Sequence, residues 1–362
     1  MQNSLEGSDR ATAAETYSEL AFETVTRGGM WNRRPDRELI ADWVERALEL
    51  SEPETPSRAR ALIARATLDP ETFADAAREA SDLADRLGDT ELRSWAWGAR
   101  DFAAYARGDY DEGLAWTRRR LEVVPEMTDP DHIAWIYENW AMASVISGRF
   151  DEARRALRAH DEVTATLTPH HRLHTAALLV RIATRQGRWN DVRALKPRAE
   201  QAVAANIATP CVQNVSVLLD CAIAHAYLGD DQEARRLERS ADDLGMQGYM
   251  LMLEPSRIAL ALARGELREV KDRLGAWEPR GLADVPGLIA RLNALVALDR
   301  RAEIEEEAPA LAKPGTYVEP FALRALGFAR SDAGLVDQAI ERFEAMGLDW
   351  HAAETRKHSV AA

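Results

Sequence analysis

Cysteine, lysine, β-branched residues and long apolar runs are all scarce in this chain, and each scarcity excludes something. Two cysteines in 362 residues cannot build a disulfide framework. Cys211 and Cys221 stand in what reads as one helix, separated by about 15 Å of rise, too far for a bridge. They read as small buried hydrophobes in a reducing compartment. The longest apolar runs, such as TAALLV before Arg181, fall far short of the ~20 residues of a membrane span. The polar start, MQNSLEGSDR, lacks the apolar core of a signal peptide. A soluble, cytoplasmic protein with no membrane partner is expected. Lysine is confined to Lys196, Lys271, Lys313 and Lys357, so nearly all of the 46 basic residues are arginine, a bias that fits GC-rich coding better than phosphate binding. Sixty acidic residues bring the net charge to −14, which repels a phosphate backbone and argues against a direct nucleic-acid partner.

What the chain does have is helix-forming residues in a regular beat. Ala, Leu, Arg and Glu dominate, while Gly and Pro recur singly, the pattern of consecutive short helices. A chain this long must divide or grow as an array, and a recurring phrase decides for the array. A glycine followed five residues later by a small or aliphatic residue appears as GDYDEG at Gly108, GRFDEA at Gly148, GRWNDV at Gly187, GDDQEA at Gly229, GELREV at Gly265 and GLVDQA at Gly334, with a weaker copy, DRRAEI, from Asp299. Successive copies fall 40, 39, 42, 36, 34 and 35 residues apart, which predicts helix pairs repeated along the chain. The phrase has a physical reason: one helix must stop, reverse and hand over to the next, and glycine accepts the left-handed conformation that ends a helix. Tyr110, Phe150 and Trp189 then pack back, and Gly113, Ala153 and Ala234 give room where the second helix crosses the first.

Upstream, RPDRELIADWVERALEL sets Leu39, Ile40, Trp43, Val44, Ala47 and Leu48 on one amphipathic stripe. SRARALIARA and PETFADAAREASDLADRLGD predict a further pair, with Pro70 at a helix start and Gly88 at its end. The tail from Asp349 reads as a capping helix with Asp349 as N-cap and a basic end, because an end repeat needs a polar cover. The expected architecture is all-α: a polar tail over 1–10, degenerate helical repeats over 11–90, well-marked repeats over 91–348, and a capping helix and tail over 349–362. That makes about nine helical hairpins.

EPFALRALGFARSDAGLVDQAIERFEAM, residues 319–346, resembles a tetratricopeptide repeat, with Leu323, Leu326, Gly327, Gly334, Ala339 and Phe343 in signature places. SWAWGARDFAAYARGDYDEGLAWTRRRLEVVP is a second copy through Trp97, Gly108, Tyr110 and Pro125, with Gly113 where the family usually has alanine. The resemblance implies a right-handed α-solenoid. In addition, DRELIADWVERALEL, SRARALIARA and MGLDWHAAETR are similar to phrases in the carboxy-terminal repeat region of LuxR-type and adenylate cyclase-like bacterial signalling ATPases, which implies a sensor or platform role. The chain departs from that family in having no G-x-x-x-x-G-K-[ST] loop, no DNA-reading helix-turn-helix and no cyclase domain. ATP and DNA functions are therefore not carried over, and no cofactor is expected.

In the tetratricopeptide family the inward groove is lined by particular places of each first helix. Carried over, these are Trp95, Gly98, Phe102, Tyr105 and Ala106, then Trp135, Glu138, Met142, Val145 and Ile146, then His174, Ala177, Arg181, Thr184 and Arg185. Such a groove passes from aromatic and methionine-bearing to arginine-bearing, which suits a peptide or small molecule with an apolar part and a carboxylate. Trp97, Tyr137 and Trp140 fall to the core. His170, His171 and His174 carry metal-like spacing on one helix face, but no cysteine or carboxylate stands near them in sequence, so TPHHRLH reads as a solvated first turn and no metal is predicted. EIEEEAP, residues 303–309, reads as solvated surface. Glu138, His174, Arg181 and Arg185 make no acid–base pair that would argue for an enzyme. The expected function is a non-catalytic, regulatory scaffold for a protein or peptide partner, the alternative being a sensor of a small molecule or short signal peptide.

Overall fold

The computed structural model describes residues 10–27, 31, 35–246, 250–279 and 281–360. Among them the chain is helical with no strand, and no helix is long and apolar enough to cross a membrane. The expected polar tail over 1–10 lies outside the described residues apart from Arg10, as do the last two residues of the terminal tail.

The chain forms two compact units, Met1–Trp140 and Ala141–Ala362. The first holds α1 (Arg10–Thr26), α2 (Arg37–Leu50), α3 (Pro56–Leu68), α4 (Ala74–Leu87), α5 (Thr90–Ala106) and α6 (Tyr110–Val123). Helix α7 (Pro130–Ile146) contributes to both units. The second continues with α8 (Phe150–Thr164), α9 (Pro169–Arg185), α10 (Trp189–Ala205), α11 (Val212–Tyr227), α12 (Asp231–Asp243) and α13 (Met250–Ala263). It ends with α14 (Leu267–Ala276), α15 (Val285–Ala297), α16 (Arg301–Leu311), α17 (Glu319–Arg330), α18 (Ala333–Ala345) and α19 (Asp349–Val360).

One packing rule holds within each unit. Most helices adjacent in the chain pack together, and alternate helices also pack side by side: α1 on α3 and α3 on α5 in the first, then α9, α11, α13, α15 and α17 in series in the second. That continuous layer of alternate helices is consistent with an α-solenoid. Alanine makes the close approach possible: Ala59, Ala61, Ala64 and Ala66 of α3 are each 0% exposed, so backbones meet across one methyl group.

From Gly108 onward the turn between paired helices is built on one plan, whereas α3 ends at Asp69 with φ −145°. Gly108, Gly148, Gly187, Gly229 and Gly265 have φ between 67° and 78°. The residue after each glycine donates its N–H to the carbonyl five residues back, as in Asp109 to Ala104, Arg149 to Ser144 and Arg188 to Ala183, the Schellman closure of a helix end. Asp109 and Asp230 then cap the next helix, accepting from the Glu112 and Glu233 N–H groups. Asp299 takes the left-handed place in its copy at φ 51°. The last copy is read three residues out of register: Ser331, at φ 54°, is the left-handed residue, and Gly334 lies inside α18 with its N–H held by Asp332. Gly113 is small for a specific reason, since a Cβ there would sit 2.1 Å from the Tyr105 ring.

Other expectations shift locally. Leu39 is 41% exposed and leaves the stripe, while Ile40, Val44 and Ala47 are buried. Pro70 sits in a turn before α4 rather than at its start, although Gly88 ends that helix in the left-handed region. Asp349 is the first helical residue of α19 instead of its cap. In the acidic run, Glu303, Glu305 and Glu307 pair with Arg300, Arg330 and Arg291.

The second unit also makes a contact that repeat logic does not foresee. Its carboxy-terminal helices return to turns formed more than a hundred residues earlier. The Tyr317 N–H donates to the Ile146 carbonyl at 3.0 Å, and the Tyr317 hydroxyl donates to the Arg185 carbonyl at 2.6 Å. His351 Nε2 lies 3.2 Å from that same carbonyl. Trp350 packs edge-on against Trp189 at 4.9 Å and Tyr227 at 4.7 Å, directly over Gly187, where a Cβ would meet Trp350 at 2.8 Å. Helix α19 therefore does more than cover the last repeat.

Two measurements test this account. Gly229 and Gly187 share the left-handed conformation, but only Gly187 lies under Trp350. In urea unfolding, Gly229→Ala should cost about 1–2 kcal/mol from backbone strain alone, and Gly187→Ala distinctly more; equal losses would reject the Trp350 contact. The second concerns His351, which burial, helped by the Arg324 charge, holds down at about 3. The unfolded chain takes up its proton near pH ~6.5 while the folded chain does not, so stability falls as pH falls below that value. Between pH 7 and pH 5 this residue alone should remove about 2 kcal/mol, and His351→Gln should lose that part of the pH dependence.

Candidate functional site

In the first unit, the residues expected to line a groove are largely consumed by packing. Trp95 is 8% exposed and stacks on the His132 ring at 4.2 Å, with Phe22 edge-on at 5.3 Å. Tyr105 is buried against Gly113, and Glu138 is buried on α7. Phe102 and Trp135 are half-buried. Gly98 clears space for Arg120, whose Nη1 a Cβ would approach to 3.0 Å.

Arg120, 0% exposed, organises a largely buried polar network. Its Nε donates to Ser94 Oγ at 3.3 Å, and its Nη1 faces Asp101 Oδ2 at 3.6 Å. The Asn139 side-chain oxygen, turned toward the donors, accepts from Arg120 Nη1 at 2.9 Å and from Trp135 Nε1 at 3.2 Å. Thr117 donates to Asp101 at 3.2 Å, and Ser94 Oγ lies 3.2 Å from His132 Nε2. Burial pushes the Asp101 carboxyl up and the Arg120 guanidinium down, each partly opposed by the other's charge. No sequence signal marked this network, since Arg120 is one of three consecutive arginines, RRR. Its dependence on pairing is measurable: Arg120→Leu leaves Asp101 buried without its counter-charge and should cost about 3–5 kcal/mol in urea unfolding, while Arg120→Leu with Asp101→Leu should recover most of it.

In the second unit the expected residues keep more freedom. Met142, His174, Arg181 and Arg185 are half-buried. Arg181 Nη2 donates to Ser216 Oγ at 3.3 Å and to Gln213 Oε1, both from α11. Arg185 Nε is buried with no hydrogen-bond partner among the described residues. Both guanidinium groups act on Asp220, whose carboxyl burial pushes up while Arg185 and Arg181 pull it down.

The start of α9 holds the other concentration of chemistry. Thr168 and Pro169 begin that helix as expected, but the turn is not simply solvated. His170 and His174 are half-buried, and one nitrogen of each imidazole and the Cys211 sulfur all lie within 4.8 Å of one another. Cys211 Sγ is 3.7 Å from His174 Nε2. His171 points elsewhere, its Nδ1 2.8 Å from Thr168 Oγ1. Cys211 is the N-cap of α11, its side chain accepting from the Asn214 N–H while the Asn214 side chain accepts from the Cys211 N–H. Burial raises this thiol, but hydrogen bonding and charge from His170 and His174 outweigh it and bring it down to about 6. Burial instead pushes the Cys221 thiol up. The cysteine absent from the sequence neighbourhood of the histidines is thus delivered by the next helix of the layer.

No protein-family model matches the chain, and comparison with curated proteins finds no match.

Proposed function

We propose that this chain is a non-catalytic regulatory scaffold of tetratricopeptide type, related to the repeat platforms of LuxR-type and adenylate cyclase-like bacterial signalling proteins, and that it binds a peptide or protein partner through the layer of alternate helices in its second unit. The observation that carries this reading is the pair Arg181 and Arg185, half-buried along one side of α9, with Arg181 held by Gln213 and Ser216 of α11. Guanidinium groups so placed fit a partner carboxylate, which can engage such a group through two parallel hydrogen bonds. The left-handed turns repeated at Gly108, Gly148, Gly187, Gly229 and Gly265 support the repeat assignment.

The test is a pull-down from a bacterial lysate with the purified chain beside Arg181→Ala of equal helicity, bound species being identified by mass spectrometry. Loss of a charge-assisted hydrogen bond of about 1.5–3 kcal/mol should weaken a specific partner by roughly ten- to a hundredfold. A partner held equally by wild type and variant would place binding elsewhere, and no enriched protein would favour a small-molecule ligand on the same arginines.

A further inference from the structure

We propose that His170, His174 and Cys211 form a binding site for a divalent transition-metal ion of the zinc class, with a fourth coordination position open. The proposal is independent of the partner-binding reading and concerns residues that reading does not use, apart from His174.

The geometry comes first. Three donor atoms from two neighbouring helices converge within 4.8 Å. A tetrahedral ion with bonds of about 2.3 Å to sulfur and about 2.1 Å to nitrogen separates those ligands by about 3.6 Å, and Cys211 Sγ already stands 3.7 Å from His174 Nε2. His170 and His174, four residues apart on α9, share one face. His170 Nδ1 is buried with no hydrogen-bond partner among the described residues, and buried polar atoms are seldom left so.

Donor chemistry decides the class of ion. One sulfur and two imidazole nitrogens suit zinc, cobalt or copper, whereas calcium and magnesium require oxygen. Three protein ligands leave a fourth position for water or for a donor from a bound molecule, the arrangement that separates open zinc sites from closed structural ones. The half-buried histidines put that position within reach of solvent.

The supporting shell is rigid. Asn214 Oδ1 accepts from the Cys211 N–H at 2.9 Å and from Asn206 Nδ2 at 3.0 Å, and Asn206 also holds both the carbonyl and the hydroxyl of Thr209 at 3.0 Å. The loop from 206 to 211 is thereby pinned before Cys211. On the other side, α9 is anchored by Leu173, 0% exposed, and by Thr175, bonded to His160 Nδ1 at 2.9 Å. These contacts fix the backbone positions from which the three ligand side chains project.

The experiment titrates the chelator-treated full chain with Co²⁺ and follows the thiolate-to-cobalt charge-transfer band and the visible ligand-field bands of a tetrahedral ion. The expected result is saturation at one equivalent, reversal by Zn²⁺, no response to Mg²⁺ or Ca²⁺, and a zinc-dependent rise in Tm. Cys211→Ser should abolish the charge-transfer band, His170→Ala and His174→Ala should each weaken binding at least about tenfold, and Cys221→Ser should leave it intact. Circular dichroism checks folding, and the two histidine variants carry the test if Cys211→Ser misfolds. Absence of the band in wild type, or its persistence in Cys211→Ser, overturns the proposal, and the three groups are then a hydrogen-bonded packing cluster.

Discussion

From Gly108 onward the architecture rests on the left-handed residue that ends the first helix of each pair. Its positive φ allows the next N–H to close the helix from five residues back, as in Arg188 to Ala183, and the second helix begins at once. A tight reversal brings the paired helices together early, which demands small residues at the crossing: Ala153 and Ala234 are 0% exposed, and Gly113 leaves space even for a tyrosine ring. Once each pair is set, the first helices lie side by side, and residues about one period apart become lateral neighbours. Both polar concentrations of the second unit follow from that geometry. Arg181 reaches Gln213 and Ser216 across one such junction, and His174 meets Cys211 across the same one.

This explains which features could be read from the sequence. The glycine phrase is local and chemically specific, so the turns and most helix limits were legible. The reading slipped at Gly334 because Ser331 adopts the left-handed conformation without being glycine, which a search keyed to glycine cannot see. Groove residues were placed by family analogy, and that analogy has no knowledge of Arg120: a buried guanidinium recruits Asn139, Ser94 and Asp101, and draws Trp135 inward through the same Asn139 oxygen. Cys211 was missed because its nearness to the histidines was judged along the chain. The repeat period held the answer, since His170 lies 17 residues before Gly187 and Cys211 lies 18 before Gly229, nearly the same place on adjoining helices.

The return of the carboxy-terminal helices is of another kind. Repeat arrays are stabilised mainly by neighbours, so their energetics are nearly one-dimensional. In the second unit, Tyr317, Trp350 and His351 break that rule by binding turns far back in the chain. Nothing in their sequence context distinguishes an aromatic ring that packs within its own hairpin from one that packs on a distant turn. Arg324 shows the same economy of space: half-buried, with its guanidinium 5.3 and 5.4 Å from the Phe321 and Phe343 ring centres, it donates to Asn293 and is lowered by burial to about 10.

Helix α9 is where these constraints meet. Its first two turns carry His170 and His174, its later turns carry Arg181, and its end carries Arg185, whose carbonyl receives both Tyr317 and His351. A helix that presents half-exposed imidazoles and guanidinium groups on one side must be held by apolar contacts on the others, and Leu173, Ala177, Leu178 and Val180 are each at most 1% exposed. The long-range grip on its end adds a restraint that neighbours alone do not supply. Polar groups kept apart from full pairing cost stability, and only an element over-determined by its surroundings can hold them in one geometry. The closure of the second unit is therefore what allows α9 to carry incompletely satisfied side chains at fixed positions, which is the condition a binding face has to meet.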